Sequence, residues 1–206
     1  MLQDAMKLMM KSYLDDIGHE AAPIIDVSND REVYKDQLTV KEQICDVLES
    51  DISFEAKREF LLKVAIATEQ MSRINYWISY MFTVTEGKAD FDPQFEEHED
   101  DEDEHAHDFA NRLRELGCVD GIPPFDMWLD LTSHIWNQEF SHTSTEILKN
   151  RYIEELQAIE FYTLCVEFFR GTPDSTTYQL FKKVKTKEEE HAKDLRDLAW
   201  QYNLDI

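Results

Sequence analysis

Positive charge is scarce in this 206-residue sequence: 21 Lys and Arg stand against 44 Asp and Glu, a formal net charge of −23. Such a chain repels phosphate backbones and anionic lipid headgroups, so neither a nucleic-acid nor a membrane-surface partner is expected. Glycine and proline are also few, five of each, which argues against a sheet-rich fold with many tight turns and for long helices with few connections. The three cysteines, Cys45, Cys118 and Cys165, are odd in number and widely spaced. They form neither a disulfide framework nor a CxxC zinc or redox site, and they suit a reduced, cytoplasmic compartment. No apolar run approaches the ~20 residues of a membrane span, and the start Met1-Leu2-Gln3-Asp4 lacks the basic region of a secretory signal, so a soluble, unprocessed protein is expected. What is present is apolar substance: 42% hydrophobic and 12% aromatic residues, too many for a disordered acidic chain. The length suits one main domain with an appendage.

The punctuation divides the chain into helices. An amphipathic stretch from about Asp4 to Ile17, carrying Met6, Met9, Met10, Tyr13 and Leu14, stops at Gly18, and residues 19–38 read as irregular. Thr39-Val40-Lys41-Glu42 has the form of a capping box opening a short helix to about Ser50. Ser53 caps a long helix that reaches Glu86 and ends at Gly87. Asp92-Pro93 starts a helix closing at Gly117, and Thr172-Pro173 caps and starts the last helix, which runs to about Tyr202. Between these lie a connection over 118–140 and a long helix from about Ser141 to Arg170. Within the connection, Phe125, Met127, Trp128, Leu129 and Trp136 read as crossover packing or a subunit contact. Short turns make antiparallel neighbours, and the long connection carries the chain back along the bundle. The expectation is all-α: a four-helix bundle over 53–206 with a long crossover between its second and third helices, preceded by a helical extension over 1–52.

The charge is uneven as well. Asp90 to Asp108 reads DFDPQFEEHEDDEDEHAHD, eleven acids with no Lys or Arg, and a charge run of this kind is ordinarily a solvated face. An internal repeat changes that reading. A constant offset of 86 carries Glu69 to Glu155, Tyr76 to Tyr162, Phe95 to Phe181, Glu102 to Glu188 and His105 to His191. Each half therefore has a Glu, a Tyr seven residues on, and a second Glu 33 residues after the first with a His three further. Two other Glu-x-x-His pairs exist, Glu104/His107 and Glu139/His142, but the residues 33 before them are Met71 and Ala106. Only the symmetric pair carries the full pattern.

Residues three apart share a helix face, so Glu102 and His105 present a carboxylate and an imidazole to one point, as do Glu188 and His191. The same faces carry Phe95, His98, Phe109 and Leu116 in one half and Phe181, Val184, Leu195 and Leu198 in the other. These are core positions, and four carboxylates buried together as anions cost several kcal/mol each unless cations neutralise them. Two divalent ions match them in charge. Glu69, Glu102, His105, Glu155, Glu188 and His191 are thus candidate metal ligands. Tyr76 and Tyr162 are candidates to hydrogen-bond a ligating carboxylate from behind. His98 reads as a half-exposed helix residue, with an outer ligand or entry-path residue as the alternative, His107 as a surface residue, and Arg73, four after Glu69, as a cation placed to screen one carboxylate or gate access. Hard oxygens with one nitrogen per metal suit iron or manganese.

On these residues the sequence resembles the ferritin-like superfamily, and within it the bacterioferritin-type ferroxidases, over roughly 54–117 and 140–203. The resemblance implies a carboxylate-bridged di-iron centre within one subunit of a homo-oligomer. It implies Glu102 and Glu155 as bridges, Glu69 and Glu188 as terminal ligands, and one imidazole per metal. The implied activity is oxidation of two Fe(II) by O2 or H2O2, for iron storage or detoxification. The family's haem methionine position holds Asp103, so no haem is expected. The same ligands also serve a di-iron oxidase or oxygenase acting on an organic substrate, and a non-enzymatic helical metal-binding or interaction protein is the third reading.

Overall fold

The computed structural model describes residues 40–85, 92–118, 143–204 and 206. The expected first helix, the irregular stretch after it, the turn at Gly87 and the apolar cluster around Trp128 lie outside the described residues. The described part consists of five helices: α1 (Val40–Glu49), α2 (Phe54–Thr85), α3 (Asp92–Glu115), α4 (Ser144–Phe169) and α5 (Ser175–Gln201). No strand occurs among the described residues, and none of their helices is long and apolar enough to cross a membrane.

Local chemistry sets the helix ends. Ser53 Oγ accepts the N–H of Ala56 at 3.1 Å and opens α2, whose 32 residues extend about 48 Å at the usual rise. α3 carries Arg112 and Arg114 in its last turn, where cations suit the helix dipole. It closes on Gly117, whose φ of +78° lets the N–H of Cys118 reach back to the carbonyl of Leu113 at 3.0 Å. Gly171, at φ +79°, turns the chain after α4, where the N–H of Thr172 meets the carbonyl of Phe169 at 3.1 Å.

Two expected starts move. α4 begins at Ser144 rather than Ser141, because Thr143 and Glu146 form a reciprocal capping box. α5 begins at Ser175, capped by Asp174 rather than by Thr172 and Pro173. The Asp174 carboxylate receives the N–H of Thr177 at 3.1 Å, the Thr177 hydroxyl at 2.8 Å, Arg58 at 3.1 Å and Arg112 at 2.8 Å. The Thr172 hydroxyl turns instead to the Phe169 carbonyl at 2.9 Å. A carboxylate with four donors outcompetes a lone hydroxyl for the helix N-terminus.

These contacts also fix the directions. Arg58 at the start of α2 and Arg112 at the end of α3 both meet the start of α5, while Gln94 near the start of α3 meets Asp194 near the end of α5. α2 runs antiparallel to α3, and α3 runs antiparallel to α5. Crosswise bonds from Tyr76 to Glu155 and from Tyr162 to Glu69 set α2 antiparallel to α4. The end of α3 and the start of α4 therefore lie at opposite ends of the bundle, as a long crossover requires.

Two apolar clusters fill the interior. One holds Phe60, Leu61, Phe109, Leu113, Phe169 and Phe181, together with Ile44 and Val47 of α1. The other holds Tyr76, Phe95, Ile147, Leu148, Leu195 and Leu198. Between them lies a layer of buried charge.

Candidate metal centre

All six candidate ligands project into that layer from the four bundle helices, and none is more than 2% exposed. Glu69 comes from the middle of α2, Glu102 and His105 from α3, Glu155 from α4, and Glu188 and His191 from α5. His105 Nδ1 lies 2.9 Å from Glu69, 3.4 Å from Glu188 and 4.0 Å from Glu102. His191 Nδ1 lies 3.4 Å from Glu102, 3.9 Å from Glu155 and 4.0 Å from Glu188. The donor atoms fall into two groups, Glu69, Glu102, His105 and Glu188, and Glu102, Glu155, Glu188 and His191, each lying within 4.8 Å of one another. The carboxylates common to both groups are Glu102 and Glu188. The resemblance implied Glu102 and Glu155 as the bridging pair; here the residues common to both groups come from the two Glu-x-x-His helices, and the lone glutamates of α2 and α4 each belong to one group.

The electrostatics expose the strain of this arrangement. Burial, with the charge of Glu188, raises the pKa of Glu69. Burial with the neighbouring carboxylates raises Glu102 and Glu155 well above the usual range. Against burial, the nearby His105 imidazole and the charge of His191 hold Glu188 below its ordinary value. Burial opposes protonation of His105, yet the adjacent Glu188 and Glu69 carboxylates push it up to about 10. Four carboxylates in one dry layer do not all ionise beside two imidazoles, so the cluster holds protons unless metal replaces them.

The donor set tests well against a pair of metal ions. Both oxygens of Glu102, Oε2 of Glu155, Oε1 of Glu188 and Nδ1 of His191 are buried without a hydrogen-bond partner. Buried polar atoms are ordinarily satisfied. Here the orphans converge on the two four-residue groups, and their mix of carboxylate oxygen and imidazole nitrogen suits iron or manganese.

Both tyrosines hydrogen-bond the outer carboxylates, crosswise: Tyr76 donates to Glu155 and Tyr162 to Glu69. Burial, then the nearby carboxylates, pushes both phenols well above 10, so they remain donors. A narrow cleft between α2 and α4, lined by Thr68, Ser72, Asn75, Glu154 and Ala158, reaches Glu69 and Glu188.

Three neighbours of the site depart from expectation. His98 is not half-exposed but 1% exposed. Its ring stacks on His191 with centroids 4.0 Å apart and meets Tyr76 edge-on at 5.0 Å, because the inward face of α3 extends a full turn before Glu102. Burial, then the charge of His191, pulls its pKa to about 2, so it is neutral. Arg73 serves no carboxylate of the cluster: it pairs with Glu99 at 3.0 Å and Asp103 at 2.6 Å. Asp101, which the sequence pattern did not single out, accepts from His191 Nε2 at 3.1 Å. Its signal was hidden in the acidic run, where one more Asp beside Glu102 looks like surface. His107, by contrast, is exposed as expected.

A family model for the ferritin-like domain matches residues 61–204, most of the chain and all six candidate ligands. The chain belongs to the ferritin-like domain family. A search of curated proteins finds no match to it. This ferritin-like chain thus joins the family's helical bundle to buried carboxylate and histidine groups able to hold a di-iron site.

Proposed function

We propose that this ferritin-like protein is a ferroxidase, of the bacterioferritin type in its ligand set, that takes two Fe(II) ions as substrate within one subunit. The observation that carries the reading is the pair of overlapping donor groups whose buried oxygens and nitrogen lack partners. One Glu from each of two helices and a Glu-x-x-His from each of the other two is the di-iron carboxylate arrangement of ferritin-like bundles.

Glu102 and Glu188 hold both positions through shared carboxylates, Glu69 and His105 complete one, and Glu155 and His191 the other. Each Fe(II) supplies one electron: the pair reduces O2 to hydrogen peroxide, or hydrogen peroxide to water, with uptake of two protons. The protein fixes the spacing, neutralises the charge and excludes bulk water through the aromatic layers on either side. Tyr76 and Tyr162 orient the outer carboxylates through their O–H groups. The hydroxyl, amide and carboxylate groups of Thr68, Ser72, Asn75 and Glu154 that line the α2/α4 cleft suit passage of an ion over that of an apolar organic substrate. The storage role brings with it a homo-oligomer, checked by native mass.

Anaerobically prepared protein mixed with Fe(II) and O2 tests the reading. Rapid oxidation is expected in the parent chain and its loss in Glu102→Ala and Glu188→Ala, with helicity retained by circular dichroism. Unchanged oxidation rates in both variants contradict it.

A further inference from the structure

The 86-residue repeat breaks around the imidazoles. Under that offset Asp101 corresponds to Lys187 and His98 to Val184. His191 accordingly has a carboxylate on its outer nitrogen, Asp101 at 3.1 Å, and the His98 ring stacked against it. The position equivalent to Asp101 in the other half, where a carboxylate would receive the outer N–H of His105, holds a cation instead. Lys187 extends to Asp101 at 3.5 Å and to Glu190 at 3.4 Å, and Val184 offers no ring. The inner nitrogens differ as well. His105 Nδ1 is engaged by Glu69 at 2.9 Å, whereas His191 Nδ1 is buried without a hydrogen-bond partner.

A carboxylate on the outer nitrogen fixes the tautomer, aims the inner lone pair and makes the imidazole a stronger ligand. An ion entering beside His191 meets an inner nitrogen that no hydrogen bond holds, while one entering beside His105 must first displace the bond to Glu69. We propose that Asp101, acting as a positioning residue through His191, makes the two metal positions unequal. The position formed by Glu102, Glu155, Glu188 and His191 fills first and more tightly, and that of Glu69, Glu102, His105 and Glu188 fills second. This inference rests on the two-ion reading of the site.

Titration of the metal-free full chain with Co(II), followed by equilibrium dialysis and visible absorption, tests it. The parent chain is expected to bind in two steps separated by more than the statistical spacing of identical sites. Asp101→Asn lowers the first constant about 10–100-fold, the usual cost of losing such a partner, and leaves the second unchanged. Lys187→Asp supplies the missing carboxylate and tightens the second step. At one equivalent of Co(II), a paramagnetically shifted, exchangeable imidazole N–H is expected in the proton spectrum, lost in His191→Ala and kept in His105→Ala. Should Asp101→Asn lose helicity, the Lys187→Asp titration and the spectrum still decide. Equal constants in the parent chain, equal weakening of both steps by Asp101→Asn, or a shifted N–H belonging to His105 overturns the inequality while leaving a dinuclear site. Absence of Co(II) binding by the parent chain contradicts the two-ion reading itself and the inequality with it.

Discussion

Both oxygens of the Glu102 carboxylate are buried and accept no hydrogen bond, so as an anion this group is stable only beside a cation. Glu102→Gln keeps the volume and removes the charge. It is expected to leave the metal-free protein as stable or more stable, by about 1–3 kcal/mol, while abolishing two-ion binding. Melting in chelator together with metal stoichiometry checks both halves. The pH dependence has a definite sign. Glu69, Glu102 and Glu155 have raised pKa values, and His105 is raised to about 10. The folded metal-free state therefore binds more protons than the unfolded chain. The stability these groups give is present below their unfolded pKa values and is lost as pH rises through the folded ones. Glu188, held low, and the neighbouring His98, pulled to about 2, have the opposite sign, and the four raised groups outweigh them. From about pH 5 to 8 the metal-free melting temperature is expected to fall. Bound metal requires deprotonated ligands, so it removes that slope and its binding releases protons. Melting curves across this range with and without Co(II) measure the difference.

At the level of the helices, Asp174 is the junction of α2, α3 and α5, holding the α5 N-terminus, Arg58 and Arg112 together. Asp174→Ala is expected to cost about 1–3 kcal/mol, the loss of a cap plus charged hydrogen bonds, by urea denaturation. Its pKa is lowered by Thr177 and the arginines against burial. Its contribution is therefore present above about pH 4, the ordinary Asp range, and is lost as pH falls through the folded value. Asp174→Asn keeps a capping oxygen and removes that acid-sensitive part. Most of the helical framework was legible because glycine, proline and capping residues are sparse and well placed: Ser53 and Gly117 act as their positions imply. The displaced start of α5 was not, because Asp174 against Thr172 is decided by partners on other helices, Arg58 and Arg112, whereas the start of α4 at Ser144 is carried by the local pattern Thr143-Ser144-Thr145-Glu146. The same limit applies at the site. Helix periodicity brought the six inward side chains together, but which carboxylates are shared depends on how four helices meet. The burial of His98 and the reach of Asp101 to His191 likewise depend on neighbouring helices.

Across the whole molecule, two apolar clusters bracket a charged layer, an arrangement that costs stability unless the layer is neutralised. Divalent metal is therefore expected to raise the melting temperature, with about 2.7 kcal/mol gained per site at a hundredfold excess over the dissociation constant. An unchanged melting temperature with Fe(II) or Co(II) present counts against a buried cage. The net charge of −23 is mostly a surface property, but its densest run, on α3, turns Glu102 and His105 inward while Glu96, Glu97 and Asp100 stay exposed. The most direct measurement is anomalous diffraction at the iron edge from crystals loaded anaerobically with Fe(II). Two peaks about 3.5–4 Å apart, the spacing of two-metal sites, are expected between Glu102 and Glu188, one beside His105 and one beside His191. A single ion, or density only among the exposed acids of α3, would contradict the dinuclear centre.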